Sequence, residues 1–205
     1  MLHIVDTNDR TREHKVLRSM FEARKHVFVD LLKWNLPVLA GKFEVDQFDD
    51  GHAAYLIVTD VEGNHLASAR LLKTTRPALL DSLYPDLVDG VVPSGTDVLE
   101  ITRFCLSRGV GAQLRRSARD MLLVGLVDYA LANKIGRYTG VAEVAWFDQI
   151  RRFGWDCEAL GSPRTHDGRS LTSLLIRIDG SSVSKLEGAG IVADTGLALP
   201  TARAA

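Results

Sequence analysis

The sequence predicts a mixed α/β fold in a single domain, built on a largely antiparallel sheet with helices on both faces. Its 205 residues suit one sizeable core and are few for two. Short apolar runs with the alternating pattern of strands are interspersed with segments in which apolar residues recur at helical spacing. Their order is strand, helix, several strands, helix, strand, helix and final strands, and this order favours a mixed sheet.

The N-terminal part predicts a strand over residues 2–5 and then an amphipathic helix. Asn8 is the predicted N-cap, and the helix is expected to end near Trp34. Arg24 emerges through the apolar face of this helix. Residues 35–51 contain proline, glycine and several acids and predict a long loop. Loops of that length inside compact domains are usually functional.

The later elements are predicted from the alternating pattern of strands, from the helical spacing of apolar residues and from a glycine turn near residue 63. They are a hairpin of strands 54–59 and 66–72, a short helical piece within 79–87, strand 98–106, helix 112–133, strand 135–141, helix 143–153, and strands 155–160 and 171–178. We therefore assign residues 1–180 to one domain. Residues 181–205 are rich in Gly, Ser, Ala and Thr with little periodicity, so we expect a poorly packed tail.

Composition and charge exclude several classes of function. A net charge of -1 gives no global field that would attract nucleic acid or an anionic membrane surface. The two cysteines, Cys105 and Cys157, lack metal-binding spacing and are expected to be buried thiols in a reducing cytoplasm. The sequence begins without the pattern of a secretory signal, and no run approaches a membrane span. We expect a cytoplasmic protein without nucleic-acid, membrane or metal partners.

A group of charged and aromatic residues in the first half suits a small zwitterion that also carries a cation. Arg24 and Phe28 stand four apart and share a helix face, and Trp34 follows where that helix is expected to end. An arginine suits a carboxylate, aromatic faces suit an onium group, and acids such as Asp46 and Asp49 suit an ammonium. Taken singly, each of these residues also has an ordinary structural explanation as a surface arginine, a core ring or a turn acid.

Strand 98–106 raises a difficulty for any site that uses both of its charged residues. In a regular strand Glu100 and Arg103 point to opposite faces, because successive side chains alternate. A bulge or bend between them is needed if both are to enter one pocket.

These residues resemble, in order and nearly in spacing, the signature of the acyl-homoserine-lactone synthases, the LuxI-type autoinducer synthases. The matching residues span the first half of the chain and are Arg24, Phe28, Trp34, Asp46, Asp49, Arg70, Glu100 and Arg103. The resemblance implies the architecture of the Gcn5-related N-acyltransferases. It also implies two substrates, S-adenosylmethionine and an acyl thioester, and no separate cofactor.

The same resemblance assigns expected roles to the eight residues. Arg24, Phe28 and Trp34 are expected to bind S-adenosylmethionine. Glu100 is the expected general base for its amine. The remaining expected catalytic residues, which form alternating acid and arginine pairs, are Asp46, Asp49, Arg70 and Arg103.

The thioester donor is expected to be an acyl-CoA or an acyl-acyl carrier protein. Expected donor-binding or acyl-pocket residues are Phe104, Glu143, Trp146 and Arg151. Many carrier-protein-dependent relatives have Thr or Ser and then Met where this chain has Glu143 and Trp146. The pair looks more like the subgroup that takes branched or aromatic acyl groups from coenzyme A. Trp146 as a plain core residue is the alternative.

Two other functions remain open from the sequence. An N-acyltransferase of the same fold could acylate a different amine without closing a lactone. A non-catalytic module could bind S-adenosylmethionine or an acyl thioester, in which case Glu100 and Arg103 would be structural.

Overall fold

The computed structural model describes residues 1–6 and 13–196, so the predicted cap Asn8 lies outside the described residues. The elements are β1 (Leu2–Val5), α1 (His14–Arg24), a π-helical segment (Lys25–Leu31), β2 (Val38–Leu39), β3 (Phe43–Glu44), β4 (Ala54–Thr59), β5 (His65–Lys73), α2 (Leu79–Leu83), a 3-10 turn (Pro85–Leu87), β6 (Val98–Leu106), α3 (Ala112–Ala132), β7 (Arg137–Glu143), α4 (Val144–Arg151), β8 (Asp156–Ala159), β9 (Arg164–His166), β10 (Arg169–Arg177) and α5 (Ser182–Gly188).

The described residues form two compact units, 1–6, 13–72 and 102–123 in the first and 73–101 and 124–196 in the second. In the first unit the strand order is β1, β4, β5 and β6, and in the second it is β6, β7, β10 and β8, with β9 also paired to β10. β1 with β4, β4 with β5, and β10 with its three neighbours are antiparallel. β6 and β7 are parallel, as the α3 crossover between them requires. The predicted mixed, largely antiparallel α/β class is confirmed.

The predicted N-terminal helix changes its winding at Arg24. α1 is regular from His14 to Arg24, and the chain then continues as a π-helix to Leu31. π-helical turns are rare and occur frequently at functional sites. Val27 and Phe28 on this segment pack with Cys105, so the segment is anchored by an apolar cluster on one side.

The predicted loop after Trp34 contains a small hairpin that the sequence did not reveal. β2 and β3 pair through only two residues each, Val38 with Glu44 and Leu39 with Phe43, so residues 40–42 form the connection. The Lys42 N–H donates to the Leu39 carbonyl oxygen at 3.0 Å, and the two residues between them, Ala40 and Gly41, both have positive φ. The hairpin places Glu44 at the end of β3, directly before the acids of the loop.

β6 contains the irregularity that its charged residues required. Arg103 has a φ of 50°, in the left-handed region that a non-glycine residue rarely adopts. The burial pattern alternates from Val98 to Thr102 and then changes phase, so that Cys105 is the next buried residue. A break in the alternation at Arg103 is the effect expected of a bulge.

The C-terminal segment is packed at two apolar positions. α5 buries Leu186 completely, Ile191 is 2% exposed, and the Thr195 hydroxyl donates to Asp128 at 2.5 Å. Gly154 permits this packing, because a Cβ there would lie 2.5 Å from the Lys185 carbonyl oxygen. Leu186 and Ile191 are therefore packed, whereas most other positions from 183 to 196 are exposed or half-buried, and the poorly packed tail over residues 181–205 stays a prediction. The assignment of residues 1–180 to one synthase domain stays a prediction.

Within the described ranges, every helix is too short or too polar to cross a lipid bilayer.

Cys105 is a buried free thiol, as predicted, whereas Cys157 is a free thiol that is only half-buried. Burial raises the pKa of the Cys105 thiol to about 12, which makes it unreactive at neutral pH.

Candidate active site

Five of the residues chosen from the sequence converge in one ion network within the first unit. The network consists of three arginines and three acids, namely Arg24, Arg70, Arg103, Glu44, Asp46 and Asp49. All six side chains are at most 8% exposed. Their formal charges cancel, which is the condition under which several charges can be buried together.

Arg24 stands at the junction of α1 and the π segment and binds two acids. Its Nε donates to Glu44 Oε2 at 2.5 Å, and its two terminal nitrogens donate to the two Asp49 oxygens, each at 2.9 Å. The side chain is 1% exposed. The paired, two-pronged contact to Asp49 is the strongest geometry available to an arginine and a carboxylate.

Arg70 and Arg103 complete the network from β5 and β6. Arg70 donates to both oxygens of Asp46, at 2.6 and 3.1 Å, and its Nε donates to Thr102 Oγ1 at 2.9 Å. Arg103 bridges Glu44 Oε1 at 3.1 Å and Asp46 Oδ2 at 2.7 Å. The left-handed backbone at Arg103 brings its side chain to these acids.

The two loop aspartates are also bound by neighbouring donors. Asp46 accepts the backbone N–H of Phe48 at 2.8 Å. Asp49 accepts the N–H of Asp46 and the hydroxyl of Tyr55, each at 2.9 Å. These contacts fix the loop in the manner of Asx turns and occupy the oxygens of both acids.

The electrostatics of the network favour its fully ionised form. Burial alone would raise the pKa of Asp49, but the hydrogen bonds and charge of Arg24, with the charge of Arg70, hold it well below its usual range. Burial would lower the pKa of Arg24, and its contacts with Asp49 and Glu44 raise it above the usual value instead. Asp49 therefore stays ionised throughout the pH range in which proteins are normally handled.

An aromatic wall lies beside the network. Phe28 and Trp34 stack with ring centroids 4.9 Å apart and planes inclined by 13°. The guanidinium carbon of Arg103 lies 5.9 Å from the centroid of Phe28. Phe28 is buried and Trp34 is half-buried, so the wall has one inner and one outer ring.

Glu100 belongs to the second unit and is held by a different partner. Its side chain is buried, and the backbone N–H of Leu80 donates to both of its carboxylate oxygens, at 3.0 and 3.1 Å. Leu80 lies in α2 and packs in an apolar cluster with Leu87 and Leu171. This contact fixes the direction of the carboxylate.

The expected donor-side residues fall in both units. Phe104 is half-buried in the first unit. In the second, Trp146 meets Phe153 edge-on at 5.9 Å, and Arg151 is exposed with its guanidinium 5.9 Å from the Phe147 ring. Glu143 precedes α4, and its carboxylate lies 3.9 Å from Arg169.

Two sequence expectations require correction. Arg24 was expected to hold a substrate carboxylate, but it is fully buried and its donors are directed to Glu44 and Asp49. Asp46 and Asp49 were expected to receive an ammonium, but their oxygens are bound by protein donors. Arg103 is the network arginine with the largest exposed side-chain fraction, at 8%.

Glu44 and Tyr55 are members of the site that the sequence analysis did not select. Glu44 is 0% exposed and connects Arg24 with Arg103. One sequence signal was present, because Glu44 stands two residues before Asp46 and an extended chain places such residues on one side. Tyr55 had no comparable signal, since a tyrosine in an apolar strand is ordinary.

His65, at the start of β5, is a buried neutral histidine near this network. Ser107 Oγ donates to the His65 carbonyl oxygen, so Nδ1–H of the ring donates to Ser107 Oγ at 2.9 Å and Nε2 accepts from Ser68 Oγ at 2.8 Å. Burial, together with the charge of Arg24, lowers the pKa of His65 from 6.5 to about 4.

This depressed pKa predicts a specific dependence of stability on pH. Between pH 6.5 and about 4 the unfolded chain binds a proton at His65 and the folded chain does not. The free energy of unfolding should therefore fall by up to about 3 kcal/mol as pH decreases across that window. Urea unfolding at several pH values measures it. His65→Gln should lose this component, while His52→Gln, at an exposed position, should keep it; equal slopes in all three proteins would contradict the assignment.

A sequence model of the family described as autoinducer synthase matches residues 8–186. An acyl-homoserine-lactone synthase from Ralstonia nicotianae is 36% identical over 177 residues, which cover 82% of this chain and 86% of that protein. The structure of MesI, described as a CoA-dependent acyl-homoserine lactone synthase, has a TM-score of 0.84 at 26% identity and covers 95% of this chain and 98% of its own.

A more distant structure bears on the fold alone. An acyl-CoA N-acyltransferase from Pseudomonas aeruginosa has a TM-score of 0.60 at 19% identity, covering 85% of this chain and 98% of its own. The predicted acyltransferase architecture is thereby confirmed.

Proposed function

Since this chain belongs to the autoinducer synthase family, we propose that it is an acyl-homoserine-lactone synthase, which makes a quorum-sensing signal from S-adenosylmethionine and an acyl thioester. The observation that carries the proposal is the buried, neutral network, because five of the eight signature residues assemble in it. A sixth, Phe28, lies under Arg103 at its edge. Even paired charges lose hydration energy when they are buried, and apolar residues of similar size would often be as stable, so the presence of six buried charges favours a functional role.

The network supports the site by holding its walls in place. Arg24 and Arg70 are buried and bind the acids, so their proposed role is to fix the loop that carries Asp46 and Asp49. Arg103 also binds Glu44 and Asp46, but it has the largest exposed side-chain fraction of the three arginines, so it is the proposed contact for the substrate carboxylate. The rings of Phe28 and Trp34 are proposed to face the sulfonium, a contact worth about 0.5–2 kcal/mol.

In the proposed first step the amine nitrogen of S-adenosylmethionine attacks the thioester carbonyl carbon. The new C–N bond forms, the C–S bond breaks, and the thiol leaves. A free α-amino group has a pKa of about 7.7–8.0, so an acceptor is needed for its proton. Glu100 is the proposed acceptor, directly or through one water, and the Leu80 N–H orients its carboxylate.

In the proposed second step the methionyl carboxylate attacks its own γ-carbon. The bond from that carbon to the sulfonium breaks, the sulfur takes the electron pair, and methylthioadenosine leaves as a neutral product. No proton is required. Catalysis of this step is a matter of holding the carboxylate in position, which can supply several kcal/mol.

The donor is proposed to be an acyl-CoA rather than an acyl carrier protein. The relationship to MesI, whose description is CoA-dependent, supports this choice. Glu143 and Trp146 support it as well, because many carrier-protein-dependent relatives have Thr or Ser and then Met at these positions. The proposed substrates are intracellular metabolites, so a cytoplasmic location remains part of the proposal.

The activity is tested by incubating the purified protein with S-adenosylmethionine and a panel of acyl-CoA and acyl-carrier-protein donors. Mass spectrometry should detect an acyl-homoserine lactone and an equal amount of methylthioadenosine. An acylated amine without methylthioadenosine would favour an N-acyltransferase that closes no lactone. Binding of S-adenosylmethionine without any turnover across the panel would favour a non-catalytic module.

Trp146→Ala tests the proposed acyl pocket. Trp146 packs edge-on against Phe153 and is half-buried, so its removal should open space and shift the donor profile towards longer acyl chains. The measurement is kcat/KM for acyl-CoA donors of increasing length.

Trp155→Phe is the control for the Trp146 prediction. Trp155 belongs to the same aromatic group but is buried and donates to the Ile150 carbonyl oxygen, so its replacement should lower stability and leave the donor profile unchanged. If Trp146→Ala also leaves the profile unchanged, Trp146 is a core residue and has no part in donor selection.

A further inference from the structure

The stacking of Trp34 on Phe28 depends on how the π segment ends. Trp34 lies outside the helical turns, and only two residues separate it from Leu31, the last residue of the segment. The Trp34 ring can cover Phe28 from this position only if the backbone reverses direction sharply. Lys33 makes that reversal, with a φ of 58° in the left-handed region.

Two backbone hydrogen bonds close this reversal. The N–H of Leu32 donates to the Val27 carbonyl oxygen at 3.0 Å, and the N–H of Trp34 donates to the Phe28 carbonyl oxygen at 2.9 Å. A left-handed residue followed by an N–H that donates back to a helical carbonyl oxygen resembles a Schellman cap, but here the bond reaches back six residues instead of five, which suits the wider π-helical winding. The Trp34 backbone is thus tied to the same residue whose ring its side chain covers.

The side chain of Lys33 is exposed, so the backbone rather than the ammonium group accounts for this geometry. Left-handed conformation is easy for glycine and tolerated by a few polar residues, whereas a β-branched residue rarely adopts it. The ammonium could act on Asp30 instead, but the lowered pKa of that carboxyl is due mainly to the hydrogen bond from Lys25, and the charge of Lys33 is only a minor contribution.

We propose that Lys33 is a positioning residue for S-adenosylmethionine binding, which acts only through its left-handed backbone by stacking Trp34 on Phe28. The inference rests on the proposed function, because it takes the stacked rings as a wall of the S-adenosylmethionine site. A chain that leaves the left-handed conformation populates the stacked state less, and the apparent affinity falls in proportion to that population.

Two substitutions separate the backbone from the side chain. Lys33→Ile disfavours the left-handed conformation, and the Kd for S-adenosylmethionine, measured by calorimetry, should rise by about five- to thirtyfold. Lys33→Gly removes the ammonium but keeps the conformation, so its Kd should stay within about twofold of wild type. A loss in Lys33→Gly equal to that in Lys33→Ile would overturn the proposal in favour of the charge.

Lys134→Ile is a matched control. Lys134 is also an exposed lysine with a φ of 58°, it follows the end of α3, and the Ile135 N–H donates back to the Ala130 carbonyl oxygen at 2.8 Å. Its replacement should lower the melting temperature as Lys33→Ile does and leave the Kd unchanged. An equal loss of affinity in Lys134→Ile would overturn the proposal, because general destabilisation would then explain both.

A second readout in the free protein keeps this inference separate from the proposed function. The chain has three tryptophans, so fluorotryptophan labelling gives three fluorine resonances, and Trp34→Phe identifies one of them. The Trp34 resonance should move in Lys33→Ile and stay in place in Lys33→Gly. If the wild-type protein fails to bind S-adenosylmethionine, both the proposed function and the proposed binding role of Lys33 are wrong. The Trp34 resonance still reports whether Lys33 holds Trp34 stacked on Phe28. An unmoved resonance in Lys33→Ile overturns the positioning role.

Discussion

Arg24→Ala should lower the free energy of unfolding by about 3–5 kcal/mol, a cost typical of leaving buried charges without a partner. The substitution removes the cation that binds Asp49 through two hydrogen bonds and Glu44 through a third. Both acids would then remain in a buried site with excess negative charge. Urea unfolding followed by circular dichroism measures the effect.

Two further variants make the Arg24 prediction specific. Arg18→Ala removes an exposed arginine from the same helix and should leave stability close to wild type. Arg24→Lys keeps the charge but loses the two-pronged contact, so an intermediate loss is expected. An Arg24→Ala protein with wild-type stability and weakened S-adenosylmethionine binding would restore the direct carboxylate contact that the sequence suggested.

Glu100→Gln should reduce kcat by about 100- to 10,000-fold, which is the usual contribution of a general base. Glutamine has nearly the same shape, and its amide oxygen can still accept the Leu80 N–H, so the fold and the affinity for S-adenosylmethionine should change little. The variant loses only the ability to accept a proton from the amine. Steady-state kinetics and calorimetry together measure the two quantities.

Glu158→Gln is the control for Glu100. Glu158 is exposed on β8 and pairs with Arg177, so its replacement should leave kcat unchanged. A folded Glu100→Gln enzyme that turns over at the wild-type rate would remove the base assignment. In that case the Leu80 contact would be its structural explanation, and another group would have to take the proton.

Elements whose own periodicity is strong were predictable from the sequence. Strand β6 was placed correctly from Val98 to Leu106, and α3 was placed within one residue of its observed end at Ala132. The β2 and β3 hairpin was missed, because strands of two residues are too short to show a period-two pattern and Ala40-Gly41 is a weaker turn signal than Asn-Gly or Asp-Gly. α5 was missed for a related reason, since its few apolar positions are separated by Ser, Lys and Glu.

The sequence by itself predicted five of the six residues that form the ion network, and it predicted that Glu100 and Arg103 could share a site only if β6 were irregular. The residue types and their order carried that information, and the break in β6 at Arg103 matches it. Only the tertiary structure decided that Arg24, Asp46 and Asp49 bind one another and that Glu44 joins them. The physical reason is that a buried charge needs a partner of opposite charge, which can be a ligand or another side chain of the protein. Which of the two it contacts depends on how deeply it is buried and on where the donors and acceptors of distant segments lie.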